Sequence, residues 1–166
     1  MHSARATSRP AAANARNPLT HTLAFRVRYS ETDQMGTFYN SRPLEWFECG
    51  RTELFRHLGM PYSSLEAQGV LLPLVEAHVE YLGRARYDDL LQMTSVAAFA
   101  GRARLRCDVT VNQAGSGKPV ARGYTVHAFA DRDGRAMRPP PWFLKVFADL
   151  EVPSGNEPAG ETPEHE

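Results

Sequence analysis

Residues 27–59 read VRYSETDQMGTFYNSRPLEWFECGRTELFRHLG, and the arrangement of the whole chain turns on this stretch. In its second half Leu44, Phe47, Leu54 and Leu58 recur at helical spacing, and Phe55 widens the apolar stripe. Pro43 suits a first turn, and Gly59 followed by Pro61 supplies a stop. A helix is therefore expected from about Pro43 to Gly59. Gly50 is its awkward member, because glycine costs about 1 kcal/mol in a helix interior. It lies on the apolar side, so close approach of the helix to a sheet would compensate.

Working outward, Leu23, Phe25, Val27 and Tyr29 alternate with polar or small residues, the pattern of a strand with one buried face. Beyond the helix, SSLEAQG reads as a short helical turn. The chain then becomes β-rich: Val75, Ala77, Val79 and Tyr81 alternate with Glu76, His78 and Glu80. A second strand covers Leu90 to Phe99, and a third places Ala103, Leu105, Cys107, Val109 and Val111 on one face. NQAGSGKP is a hairpin connection by composition. VARGYTVHAFA is the fourth strand, and PPPWFLKVFADL a short terminal helix entered through proline. The fold class is α+β, a five-stranded antiparallel sheet around one long helix that must cover its apolar face. Polar residues alternating along several strands leave a second face for association, and a dimer is the commonest closed form.

Length and charge bound the partners. With 166 residues the chain supports one domain and a real core. Nineteen Lys plus Arg balance nineteen Asp plus Glu, leaving no broad positive field for a nucleic-acid backbone. No apolar run is long enough to span a bilayer, so no membrane partner is expected. The opening stretch carries Arg5, Arg9 and Arg16 with no acid; its Ala, Pro and Asn content reads as a basic disordered extension over residues 1–18 rather than an organellar address. Residues 153–166, PSGNEPAGETPEHE, read as a disordered acidic tail, which leaves residues 19–152 as the folded domain and a cytoplasmic location as the expectation. Cys49 and Cys107 lie in apolar segments and read as buried thiols. The six histidines show no ligand grouping, so neither a metal nor another cofactor is expected.

The loop between first strand and helix holds Glu31, Thr32 and Asp33, then Gly36, then Asn40 and Ser41. Asp33 feeds a helix N-terminus, whose free backbone N–H groups bind anions or a developing oxyanion. An aspartate in this position is more often a turn or cap residue than a catalyst. Gly36 permits a backbone conformation that other residues resist.

In register, Tyr29, Glu31, Thr32, Asp33, Gly36, Phe47, Glu48 and Arg51 resemble the opening motif of the 4-hydroxybenzoyl-CoA thioesterase-like branch of the hotdog superfamily. Residues 75–111 resemble that family's next two strands, with Ala85, Arg86, Asp88 and Asp89 at the usual junction. The resemblance covers nearly everything from Leu23 to Phe143. It implies hydrolysis of an acyl-CoA or acyl-carrier-protein thioester, in dimers that also associate as tetramers, with active sites across the dimer interface. It also implies that Asp33 is the catalytic carboxylate and that oxyanion donors come from Tyr39 to Arg42, within a substrate-binding loop of Gly36, Thr37, Tyr39, Asn40 and Ser41. Arg84 and Arg86, with Arg102 and Arg104, are candidates for the coenzyme A phosphates, since guanidinium forks suit phosphate oxygens; solvated strand edges explain them equally well. Two departures concern the acyl pocket: Thr37 stands where many relatives have His, and Pro43 where many have an aromatic residue. The main rival is a non-catalytic acyl-thioester-binding or structural hotdog protein. A hydratase is disfavoured because the Asp-x-x-x-x-His position holds Phe38.

Overall fold

The computed structural model describes residues 19–149. The extensions expected at residues 1–18 and 153–166 fall outside the described residues. The elements run β1 (Leu19–Arg26), α1 (Arg42–His57), α2 (Tyr62–Ala67), β2 (Leu74–Tyr81), β3 (Leu90–Phe99), β4 (Arg104–Gln113), β5 (Pro119–Ala128) and α3 (Pro141–Asp149), with a 3-10 turn at Tyr29–Glu31. One antiparallel sheet in the order β1-β3-β4-β5-β2 carries α1 on its apolar face. The five-stranded α+β architecture expected from the sequence is what forms.

The inner face is built by strict alternation. Leu91, Met93, Ser95 and Ala97 of β3 are buried beside Leu105, Cys107, Val109 and Val111 of β4. Helix α1 lowers Trp46, Phe47, Gly50, Leu54 and Phe55 onto them. Gly50 is the point of closest approach: a Cβ there would run into Ser95 Oγ and the end of Met93. The helix tolerates glycine because the sheet leaves no room for anything larger. A second cluster joins Phe99, Phe129, Phe143 and Phe147, which brings α3 over the far end of the sheet.

Four sequence expectations are corrected. Leu44 is 41 % exposed, and Trp46 takes its place in the stripe. Tyr29 does not continue β1; the 3-10 turn swings it out to 78 % exposure. In β2, Val75, Ala77 and Tyr81 are exposed, because β2 is an edge strand bonded to β5 on one side only. Alternation revealed that β2 has an apolar side, but not whether anything lies over it. Cys49 is exposed on α1, whereas Cys107 is buried as expected, and burial pushes the Cys107 thiol up to about 12.

Candidate active site

The loop after β1 folds back on itself. Thr32 and Phe38 form an isolated antiparallel bridge. Within it, Asp33 N–H donates to the Thr37 carbonyl at 3.0 Å and Gly36 N–H to the Asp33 carbonyl at 3.0 Å. Gly36 has φ +67°, the left-handed conformation that this tight reversal requires. Two side chains moor the loop to the segment after β2. The Thr37 hydroxyl lies 3.2 Å from both the N–H and the carbonyl of Ala85, and the Arg84 guanidinium donates to the Met35 carbonyl.

Asp33 therefore sits at the tip of a pinned reversal. Its Oδ1 accepts the Met35 N–H at 2.8 Å, an Asx turn; Oδ2 has no hydrogen-bond partner among the described residues. The side chain lines a cleft of about 520 Å³ together with Met35, Thr37, Phe38, Tyr39, Asn40, Tyr81, Gly83 and Arg84. Phe38 is stacked at 6.3 Å with Tyr81 on the cleft side and tilted at 5.0 Å against Trp46 on the core side.

The second arm of the loop leads into α1. Tyr39 N–H donates to the Glu31 carbonyl at 2.8 Å, and Arg42 N–H to the Tyr39 carbonyl at 3.0 Å. Between them, the N–H groups of Asn40 and Ser41 take no backbone partner among the described residues. Ser41 is the N-cap, its side chain makes no capping bond, and Pro43 brings no N–H to the first turn. The start of α1 thus retains unpaired amide donors on the segment that lines the Asp33 cleft, where the helix dipole favours negative charge.

Comparison with known proteins then decides the family. Residues 27–147 match the thioesterase-like superfamily. The chain belongs to that superfamily. It is similar to a Bacillus subtilis putative acyl-CoA thioesterase, YneP, at 46% identity over 63 residues, 38% of this chain and 46% of the relative. The chain spans about half the length of the first curated relatives it matches. Among solved structures, Synechocystis Slr0204, a 1,4-dihydroxy-2-naphthoyl-CoA thioesterase, superimposes with TM-score 0.74 at 23% identity, covering 81% of this chain and 99% of that one. A mutant 4-hydroxybenzoyl CoA thioesterase complexed with 4-hydroxybenzoyl CoA does so at 0.69 and 20%, covering 77% and 98%. These likenesses establish the hotdog fold.

Within this thioesterase-like fold, the residues singled out from sequence separate into groups. Asp33, Thr37, Tyr39, Asn40 and Arg84 line one cleft. Gly36 and Ser41 adjoin it through the backbone. Arg86 is exposed outside the lining, in the turn where its N–H donates to Asp89 Oδ2 at 2.8 Å. Arg102 and Arg104 lie at the opposite end of the β3–β4 hairpin. The ten residues of β3 put them roughly 30 Å from the loop at about 3.3 Å per residue. They cannot share a ligand phosphate with Arg84 in one chain. Met35, Phe38, Tyr81 and Gly83 were not singled out. Tyr81 and Gly83 arrive from the end of β2, a neighbourhood that no local pattern announces.

Several of the remaining titratable groups have structural partners. Glu48 and Arg51, three residues apart on α1, form no ion pair with each other among the described residues. Arg51 instead lies over the Tyr62 ring, 5.6 Å from its centroid. His57 is exposed and stacks on His21 at 4.8 Å. His78 stacks on Tyr124 and approaches Glu80. His127 is buried, with Nδ1 3.0 Å from the Leu72 carbonyl and Nε2 3.0 Å from Thr125 Oγ1. The carbonyl only accepts, so Nδ1 carries the proton and Nε2 receives the Thr125 hydroxyl. Burial, with Arg51 nearby, pulls the imidazole down to about 4 against the opposing pull of the Leu72 hydrogen bond. Among the described residues, no three His, Cys, Asp or Glu side chains are grouped as a metal site. Nor is any helix among them long and apolar enough to cross a membrane.

Proposed function

We propose that the chain hydrolyses an acyl-CoA thioester in the Asp33 cleft. The observation that carries this reading is that, among the described residues, Asp33 Oδ2 takes no partner in a cleft lined also by Asn40, and neither the Asn40 nor the Ser41 N–H is paired at the start of α1. A thioester is already a good electrophile with a competent thiolate leaving group. The protein has to deliver water to the carbonyl carbon and hold the negative charge that forms on its oxygen. Asp33 takes a proton from water as that oxygen bonds to carbon. The Asn40 and Ser41 amides stabilise the oxyanion, a contribution of about 3 to 4 kcal/mol per donor in other acyl-transfer sites. Collapse expels the thiolate, which takes up a proton, and leaves the free acid. Direct attack by Asp33 through a mixed anhydride is the other route to the same products. In this reading Arg84, which lines the cleft, meets a phosphate of the coenzyme, while Phe38, Tyr39 and Tyr81 give the cleft aromatic walls. Similarity to the acyl-CoA thioesterase YneP supports the coenzyme A form of the substrate.

The rival reading, a non-catalytic thioester-binding protein in which Asp33 only shapes the turn, draws on the Oδ1 contact to Met35 N–H. Asp33→Asn separates the two, because asparagine keeps that acceptor and removes the base. Thiol release from a panel of acyl-CoAs should fall about 100-fold or more in kcat, the usual worth of a general base, with the melting temperature unchanged. Arg84→Ala should raise KM and, because it also loses the mooring bond to the Met35 carbonyl, lower kcat less than Asp33→Asn does. Full activity in the asparagine variant would dispose of the catalytic assignment, and a wild type inert towards every acyl-CoA would favour binding alone.

We further propose that the working unit is a homodimer joined along the open edge of β2, where Leu74, Val75 and Tyr81 are each about half exposed. A tetramer of two such dimers would leave that edge contact intact.

A further inference from the structure

The one acid buried in this region is not Asp33 but Glu31, only 2 % exposed. Both oxygens of its carboxylate are engaged. Oε2 accepts the Arg28 backbone N–H at 2.7 Å; Oε1 accepts the Arg28 guanidinium at 2.9 Å and the Trp46 indole N–H at 3.0 Å. Its main-chain carbonyl accepts the Tyr39 N–H at 2.8 Å. One residue thus ties together the end of the 3-10 turn, the body of α1 and the returning arm of the loop. Asp33 follows two residues along one arm, and Asn40 follows Tyr39 on the other. Trp46 lies little more than one turn into α1 from Ser41, and its ring packs on Phe38 at 5.0 Å and Phe25 at 5.3 Å.

We infer that Glu31 is a positioning residue: by clamping Trp46 to the loop, it sets the distance between the Asp33 carboxylate and the amide donors at the start of α1. This rests on the function proposed above, since only thioester hydrolysis requires that base and those donors to be in register. Several features favour a charged clamp over mere packing. Every partner of the carboxylate is a donor, so a neutral amide would have to turn an NH₂ towards one of them. Burial opposes the charge, yet the hydrogen bonds from Arg28 and Trp46 outweigh it and hold the carboxyl below its ordinary range. Glu31 does not line the Asp33 cleft, and both of its carboxylate oxygens are already held by donors from Arg28 and Trp46.

The test compares Glu31→Gln, Trp46→Phe and the double variant in the full chain, using acyl-CoA hydrolysis. Either single change should lower kcat about 10- to 100-fold, the range expected when reacting groups shift by up to 1 Å, with KM altered less than about threefold. Because both break the same link, the double variant should be no slower than the worse single variant. Multiplicative losses would overturn the clamp, as would a Glu31→Gln protein that melts lower but keeps its kcat per folded molecule. A second readout needs no turnover: amide NMR shifts of Asp33, Asn40 and Ser41 should move together in both single variants. Unmoved amides would overturn the positioning role. Moved amides in a wild type inert towards every acyl-CoA would uphold the clamp geometry and place the failure in the proposed function.

Discussion

The contact between Gly50 and Ser95 yields a prediction that runs against helix propensity. In an open helix interior, Gly→Ala stabilises by about 1 kcal/mol. In α1 the new methyl would collide with Ser95 Oγ and press on the end of Met93. Methionine can swing away, whereas the Ser95 hydroxyl, 1 % exposed on an interior strand, has only packed core to turn into. Overpacking of this kind costs about 1 to 3 kcal/mol, so Gly50→Ala should be destabilising by about 1 kcal/mol net. Ser95 Oγ is also a buried hydroxyl without a hydrogen-bond partner among the described residues, which costs about 1 to 2 kcal/mol. Ser95→Ala removes that group at the expense of a small void and should stabilise by about 1 kcal/mol. If the two single effects simply added, the double variant would match wild type. Instead the alanine methyl enters the space that the hydroxyl left and the propensity gain is recovered, so the double variant should be about 2 kcal/mol more stable than wild type. Urea denaturation at one fixed protein concentration, to hold association constant, reads all four proteins. Additivity within about 0.5 kcal/mol, or stabilisation by Gly50→Ala alone, would refute the packing argument.

The buried imidazole of His127 makes stability depend on pH. Above its ordinary 6.5 the group is neutral in both folded and unfolded chains, and it contributes no slope. As pH falls from 6.5 towards about 4, the unfolded chain takes up a proton that the folded chain refuses, so stability is lost across that window and the loss levels off below it. Allowing for residual hydration of the site, the loss should be about 2 kcal/mol, and His127→Gln, which keeps both hydrogen bonds without titrating, should lose correspondingly less between pH 7 and pH 4.5 in urea melts. Equal losses in the two proteins would show that other groups set the acid response. At the sheet edge, Val75→Lys should move the sedimentation profile from dimer to monomer at micromolar concentration, because a charge on an exposed edge opposes pairing. A wild type that sediments as a monomer would remove the β2 dimer from consideration.

The secondary structure was largely legible because it is governed by local periodicity. Leu105, Cys107, Val109 and Val111 alternate strictly, and they are buried as that pattern requires. Gly50 was legible for a different reason: a glycine that breaks a helical stripe without ending the helix has to be excused by something close, and the sheet supplies it. Where periodicity gave the wrong side, the cause was a missing neighbour or a turn. Val75 and Tyr81 lie on an edge whose outer flank no strand among the described residues occupies, and Tyr29 was carried out of register by the 3-10 turn.

The site was legible only along the chain. Thr37, Tyr39 and Asn40 follow Asp33 within seven residues and share its cleft, whereas Arg84 and Arg86 were indistinguishable until the path after β2 put one beside Met35 and the other outside the lining. Glu31 shows the limit most clearly. In SETD it stood out only as one position of the motif, and nothing local announced its burial, because the donors that justify it include an indole fifteen residues away on the helix. A carboxylate costs several kcal/mol to bury unless such donors surround it, so its presence here says that α1 and the loop must come together correctly before the residue is tolerable at all. Asp33 carries no such requirement: one oxygen closes a local turn and the other takes no partner among the described residues. The division is physical, since an acid whose two oxygens are both tied to protein donors is suited to hold geometry. The acid with an oxygen to spare needs another group to hold it still.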